Sequence, residues 1–342
     1  MNMQNWKEQM IYNELKKPMP ILSFPAVQEL YITVRELVAD ENHQAIGMRI
    51  IADSFDMPVA MGYMDLSVEA EAFGAHTVYS ADEVPSILGH ILSTEEDVDN
   101  LIVPEVGAGR TGTVIEGIRK AQILIRDRPI FAQCIGPFSL AGRLLGVNDI
   151  LLHCYEEPDM VRRALRKATD FIKPYAAAFK HIGADGLIMA EPLAGLLSPE
   201  LIDEFSTNYV REIVESVQDM HYMVIYHNCG NSVPFFVQSV IDTGCEGFHF
   251  GEVVDMAEML DKIPADRLVL GNISPARVFN GKSAKAVEIE TLKLLQSCAH
   301  HKNFMISSGC DLPPNVDLDF VEMFFKVSDG FYYRKSLRNA IA

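Results

Sequence analysis

In the segment YHNCGN, His227 and Cys229 stand two residues apart, and in GCDLPP a further sulfur donor, Cys310, occupies a Gly- and Pro-rich loop late in the chain. If the run before Cys229 is a strand, its period of two turns both side chains to one face, where they can grip a single ion. The spacing alone is weak. Ten histidines and six cysteines scattered over 342 positions give about 0.2 His-x-Cys pairs by chance, and a buried His and Cys without metal would explain that segment. Cys310 supplies the third donor. One imidazole and two thiolates suit a catalytic Zn²⁺, which takes nitrogen and sulfur tetrahedrally and keeps a position for an exchangeable group. Two thiolates also make the zinc electron-rich, so that a thiol bound beside them loses its proton yet stays nucleophilic. That favours alkyl transfer to sulfur, whereas hydrolytic zinc sites use more His and carboxylate. Glu252, 23 residues beyond Cys229, is the expected fourth ligand, displaceable by an incoming thiol. Its alternative is a solvated or salt-bridged rim carboxylate.

Such donors must be brought together by the fold. Eight short β-rich runs alternate with helical patterns: Pro20 to Pro25, Pro58 to Asp65, Pro129 to Ile135, Gly186 to Glu191, Met223 to Cys229, Gly247 to Glu252, Arg267 to Ile273 and Asn303 to Ser308. Apolar residues at three- and four-residue steps predict helices over Pro158 to His181, Pro199 to Met220 and Ser283 to His300. Strands joined by helical crossovers imply a parallel sheet, and eight of them an (α/β)8 TIM barrel. Residues 1–17 read as an N-terminal helical extension; 28–55 and 66–128 are too long for one crossover and must hold extra helices or an excursion over the mouth. No Pro/Gly/Ser-rich linker divides the chain, so residues 1–342 are expected to form one domain.

Barrel enzymes work at the carboxyl ends of their strands. There the sequence places Asp65, Glu191, His227, Cys229, Glu252, Asn272 and, just past the last strand, Cys310. Glu191, directly before Pro192, is expected to act as a general acid or base or to stand behind the ligands, not among them. Asp65 is the other expected catalytic residue, hydrogen-bonding near the metal, and its alternative is to cap the helix predicted at SVEAEAF.

A formal charge of −18 opposes nonspecific attraction to nucleic acid or anionic lipid. No signal-like start and no run of about 18 apolar residues occurs, so a cytoplasmic enzyme without membrane contact is expected. Six scattered cysteines predict reduced thiols, not a disulfide framework; Cys134, Cys154, Cys245 and Cys298 lie in apolar or helical surroundings and are assigned no chemistry.

The segments GYMDLSVEAEAFG (62–74), CIGPFSL (134–140), EPLAGLLSP (191–199), HNCG (227–230), GNISP (271–275) and SSGCDLPP (307–314) resemble the uroporphyrinogen decarboxylase superfamily from about Pro18 to Phe331. The His-x-Cys and the late Gly-Cys resemble its methylcobamide:coenzyme M methyltransferase branch. The decarboxylases' early Arg-rich motif is missing from PILSFPAV. Their strand-end Asp is matched by Asp65, but their Tyr falls near Arg143, their Ser on Pro192 and their late His on Cys310. The resemblance implies a zinc- and corrinoid-dependent methyltransferase, with a methylcobamide carried by a partner corrinoid protein as substrate. The acceptor is a small molecule, coenzyme M, another thiol or tetrahydrofolate. It also implies that Asp65, Arg143 and Asn272 face the corrinoid side. Direction of transfer and oligomeric state, a homodimer included, are left open. The alternatives are a uroporphyrinogen decarboxylase, a corrinoid- or tetrapyrrole-binding protein without turnover, and a purely structural zinc.

Overall fold

The computed structural model describes residues 1–281 and 283–341. Seven parallel strands form one curled sheet in the order β1 (Ala60–Met61), β4 (Ile130–Ile135), β5 (Gly186–Ala190), β6 (Met223–Asn228), β7 (Gly247–Phe250), β8 (Leu268–Ile273) and β9 (Phe304–Ser308). A small antiparallel hairpin, β2 (Thr77–Val78) with β3 (Ser86–Ile87), stands apart. The fold is a TIM-barrel-like α/β domain.

Strand alternation decides which side chains fill the barrel. Met61, Phe131, Ile188, Ala190, Met223, Ile225, Leu268, Leu270 and Met305 make one buried cluster. Strand residues that alternate with these, among them Leu187, Met189, Val224, Tyr226, Val269 and Ile306, join the larger cluster under the helices, as do Phe248 and Phe250 on either side of His249. The first set is the barrel interior and the second its outer wall, as a period of two requires. The helix Met3–Tyr12 closes the amino-terminal end: Met3, Trp6 and Ile11 belong to the interior cluster, and Trp6 lies 5.8 Å from the Phe131 ring. The expected N-terminal helix is thus present, as a plug, and chemistry is left to the opposite end.

Seven of the eight expected strands are found, and the first is corrected. Residues 18–23 run beside β9 without forming a ladder: Met19 N donates to Ile306 O (2.9 Å), while Ile21 N turns to the Ser308 hydroxyl (3.0 Å). Pro18, Pro20 and Pro25 lack the N–H that a ladder needs. The second expected strand shrinks to two residues, Ala60–Met61.

The helix Pro158–His181 has the predicted bounds, and Ala284–Cys298 falls within the predicted span. Pro199 to Met220 resolves into a π-turn, Asp203–Thr207, continued by the helix Asn208–Val217. The two long excursions hold the helices Ala26–Leu30, Val34–Ala39 and Glu41–Ser54, then Val68–Ala72, the hairpin, Glu95–Asn100 and Thr111–Leu124. A long closing helix, Leu318–Ile341, was not anticipated. No described helix is long and apolar enough to cross a membrane. Cys134, Cys154, Cys245 and Cys298 are free and buried.

Candidate metal centre

Strand β6 presents Met223, Ile225 and His227 to the barrel interior, so the apolar layers end in an imidazole at the mouth. Cys229 follows one step past the strand, and Cys310 arrives on the loop leaving β9. The ligand atoms of His227, Cys229 and Cys310 all lie within 4.8 Å of one another, the only such group of three or more His, Cys, Asp or Glu among the described residues. His227 Nε2 and Cys310 Sγ are 3.7 Å apart. A tetrahedral zinc with Zn–N of about 2.0 Å and Zn–S of about 2.3 Å sets that edge at about 3.5 Å. The donors therefore fit the ion in chemistry and in spacing.

The loops meet closely because glycine lines them. A Cβ on Gly251, after β7, would fall 2.6 Å from the Cα and Cβ of Cys229; one on Gly230 would fall 2.4 Å from Cα of Gly195. The hydrogen bond from Cys310, opposed by burial and aided by His227, holds Cys229 well below the usual thiol value. Cys310, bonded to that sulfur and buried, is pushed well above it.

His227 is fixed from behind. Its Nδ1 lies 2.8 Å from Nδ1 of His249, its register partner on β7, and Nε2 of His249 lies 2.8 Å from the Ser307 hydroxyl on β9. Neither His249 nor Ser307 was anticipated. A signal existed in GFHFGE, where Phe-His-Phe turns a lone histidine inward between wall residues, but register is needed to see what it meets.

Glu252, the expected fourth ligand, stands beside the cluster and not in it. Its Oε1 accepts from the Ser274 hydroxyl (3.0 Å), and a Cβ on Gly309 would meet its Oε2 at 3.0 Å, so the carboxylate lies along the Cys310 loop. It also borders a cavity of about 590 Å³ that runs outward past Asn272, Arg277 and Lys293.

The other strand-end residues are committed to local contacts. Glu191 is wholly buried: Oε1 accepts from Phe138 N (2.9 Å), and Oε2 from Ser139 N (2.9 Å) and Ser139 Oγ (2.7 Å). It caps the helix Pro137–Leu145, whose own N-cap, Gly136, has no side chain. Burial raises Glu191 to about 7 against those hydrogen bonds. Asn272 donates both amide hydrogens, to Gly251 O (2.8 Å) and Val254 O (2.9 Å), which makes it a clamp on the β7 loop.

Asp65 accepts from Ser67 N (3.0 Å) and Ser67 Oγ (2.6 Å), tying down the residue that opens the helix Val68–Ala72, and pairs with Arg110. Arg110, also unanticipated, bonds Glu71 (2.7 Å) and Tyr79 (2.9 Å) as well. Arg143, partly buried on the helix Pro137–Leu145, has an enclosed Nε with no hydrogen-bond partner, and burial lowers its pKa against the pull of Asp65.

Comparison with known proteins gives a consistent picture. The family profile described as "Uroporphyrinogen decarboxylase (URO-D)" matches residues 26–331. The methylcobamide:CoM methyltransferase MtbA of Methanosarcina acetivorans is 26% identical over 281 residues, 80% of this chain and 78% of its own. A uroporphyrinogen decarboxylase of Psychromonas ingrahamii is 24% identical over 293 residues, 81% of each. Among solved structures, a methyltransferase from Methanosarcina mazei superposes with a TM-score of 0.83 at 21% identity, covering 97% of this chain and 99% of the other.

Proposed function

The chain belongs to the uroporphyrinogen decarboxylase (URO-D) family, and within it we propose a zinc-dependent methyltransferase that moves a methyl group between a methylcobamide and a thiol. The three-donor cluster of His227, Cys229 and Cys310 carries this reading, and the similarity to the archaeal methylcobamide:CoM methyltransferases supports it.

His227, Cys229 and Cys310 would hold the ion, which supplies the Lewis acidity that keeps a thiol deprotonated at neutral pH. With Glu252 turned to Ser274, the side facing the mouth is left for the acceptor. The remaining residues position and exclude. Gly251 and Gly230 let the loops close around Cys229, and Glu191 fixes the helix that carries Arg143. Asp65 and Arg110 form a buried, mutually neutralised wall. Arg143, which forms no ion pair among the described residues, is assigned to an anionic group of the substrate at the corrinoid side. A methylcobamide presented by a corrinoid protein at the mouth would give up its methyl carbon in line, the Co–C electron pair staying as cob(I)amide while sulfur supplies the pair of the new S–C bond. Sulfur is preferred to tetrahydrofolate because the donor set is rich in thiolate, which suits a bound sulfur nucleophile.

The decarboxylase reading is favoured by the relative from Psychromonas ingrahamii, and disfavoured by Cys310 in place of the late His and by the missing early arginines. One experiment separates them. Zinc-loaded protein is mixed with methylcobalamin and coenzyme M, homocysteine or tetrahydrofolate in parallel, and cob(I)alamin is followed spectrally. Cob(I)alamin is expected with a thiol and is expected to be lost in Cys310→Ser. No demethylation with any acceptor, together with metal-free decarboxylation of uroporphyrinogen, would overturn the proposal.

A further inference from the structure

Every inward residue of β6 and β7 below the mouth is apolar or glycine, yet the top layer buries two polar side chains, His249 and Ser307, that form no hydrogen bond to the other two candidate ligands. Both are at most 1% exposed. Burying such groups is costly unless they are paired, and here they are paired in one line: His227 Nδ1 to His249 Nδ1 at 2.8 Å, then His249 Nε2 to Ser307 Oγ at 2.8 Å. His227 Nε2 points the other way, to Cys310 Sγ at 3.7 Å.

We infer that His249, anchored by Ser307, is the positioning residue that fixes His227 as an Nε2 metal donor. This rests on the zinc reading of the cluster. When Nε2 of His227 serves a metal, its proton must sit on Nδ1, which then donates to His249 Nδ1. His249 is thereby the tautomer protonated on Nε2, which donates to the Ser307 hydroxyl. With a metal on Nε2 the line admits one assignment of protons, and it holds the His227 ring in one plane.

Histidine ligands ordinarily give that second proton to a carboxylate, a backbone carbonyl or water. A neutral imidazole in this place orients the ligand without adding negative charge behind a site that already contains two sulfur donors. The register makes the arrangement possible, since His227 and His249 are directly paired across β6 and β7. Ser307, two strands from His249 in the sheet, reaches it through the barrel interior.

The test is the zinc dissociation constant, measured by competition with a chromophoric chelator, for the wild type, His249→Leu, His249→Gln and Ser307→Ala. The absorption of the cobalt-substituted forms is recorded in parallel. His249→Leu is expected to weaken zinc binding by about 10- to 100-fold and to alter the cobalt spectrum. His249→Gln, whose amide can both accept from His227 and donate to Ser307, is expected to recover most of that loss, and Ser307→Ala to lose a smaller factor. Should His249→Leu fail to fold, Ser307→Ala and His249→Gln still decide the matter. Unchanged zinc affinity in His249→Leu and Ser307→Ala would overturn the inference, as would equal losses in the Leu and Gln variants. A wild-type protein that binds no zinc would instead overturn the metal reading on which it rests.

Discussion

Glu69 and Glu191 are both fully enclosed carboxyls near the mouth, but they are held differently. Glu191 has both oxygens occupied, whereas Glu69 accepts from Ile135 N (3.1 Å) and leaves Oε2 without a partner. Burial raises Glu69 to about 8. The sign of its effect follows from linkage. A carboxyl whose folded pKa exceeds its unfolded value binds protons more tightly when folded, so stability is lost as pH rises from about 4.5 to about 8. Glu69→Gln removes that loss. Relative to wild type it is expected to gain from about one to a few kcal/mol at pH 8.5 compared with pH 4.5, measured by denaturant melts at both values. Parallel pH profiles for the two proteins would contradict this. At this scale the candidate ligands were legible because their types are rare and their spacing matches a strand end. His249, Ser307 and Arg110 were not, because each acts through a partner 22 or more residues away, and pairing across strands leaves no local pattern.

The helix Pro137–Leu145 is the element that most depends on a remote residue. It begins at Gly136, and a Cβ there would lie 2.3 Å from Cγ of Glu191, so the glycine admits the carboxylate that does the capping. Glu191→Ala strands two backbone N–H groups and the Ser139 hydroxyl in a dry site. A loss of about 2–4 kcal/mol is expected, visible as a lower urea midpoint. A general acid or base would instead lose turnover with its stability intact, and that outcome would favour the acid–base role for Glu191 over the capping one. Most strands and the long helix Pro158–His181 were legible, since hydrophobic alternation and three- to four-residue periodicity are local signals. The first strand was misjudged because its apolar residues fit a strand while its prolines deny it the ladder. The π-turn at Asp203–Thr207 depends on tertiary packing and had no signature in the chain.

In the whole molecule, the interior is apolar from the plugging helix Met3–Tyr12 up to a single polar layer, and the strand ends converge on one mouth. That convergence joins Cys310 to His227 across 83 residues of chain, and it turns a His-x-Cys spacing that chance could supply into a candidate metal centre. Barrel and mouth were foreseeable from eight alternating runs. The placement of Glu252 was not, because a loop residue's direction is set by its neighbours, here Ser274 and Gly309. The account stands or falls on three protein donors with an open fourth side. Zinc-edge X-ray absorption on the purified, zinc-loaded protein, before and after addition of coenzyme M, tests this most directly. The account predicts two sulfur neighbours at about 2.3 Å before addition and three after. An absence of zinc, or a sulfur count that the thiol leaves unchanged, would contradict it.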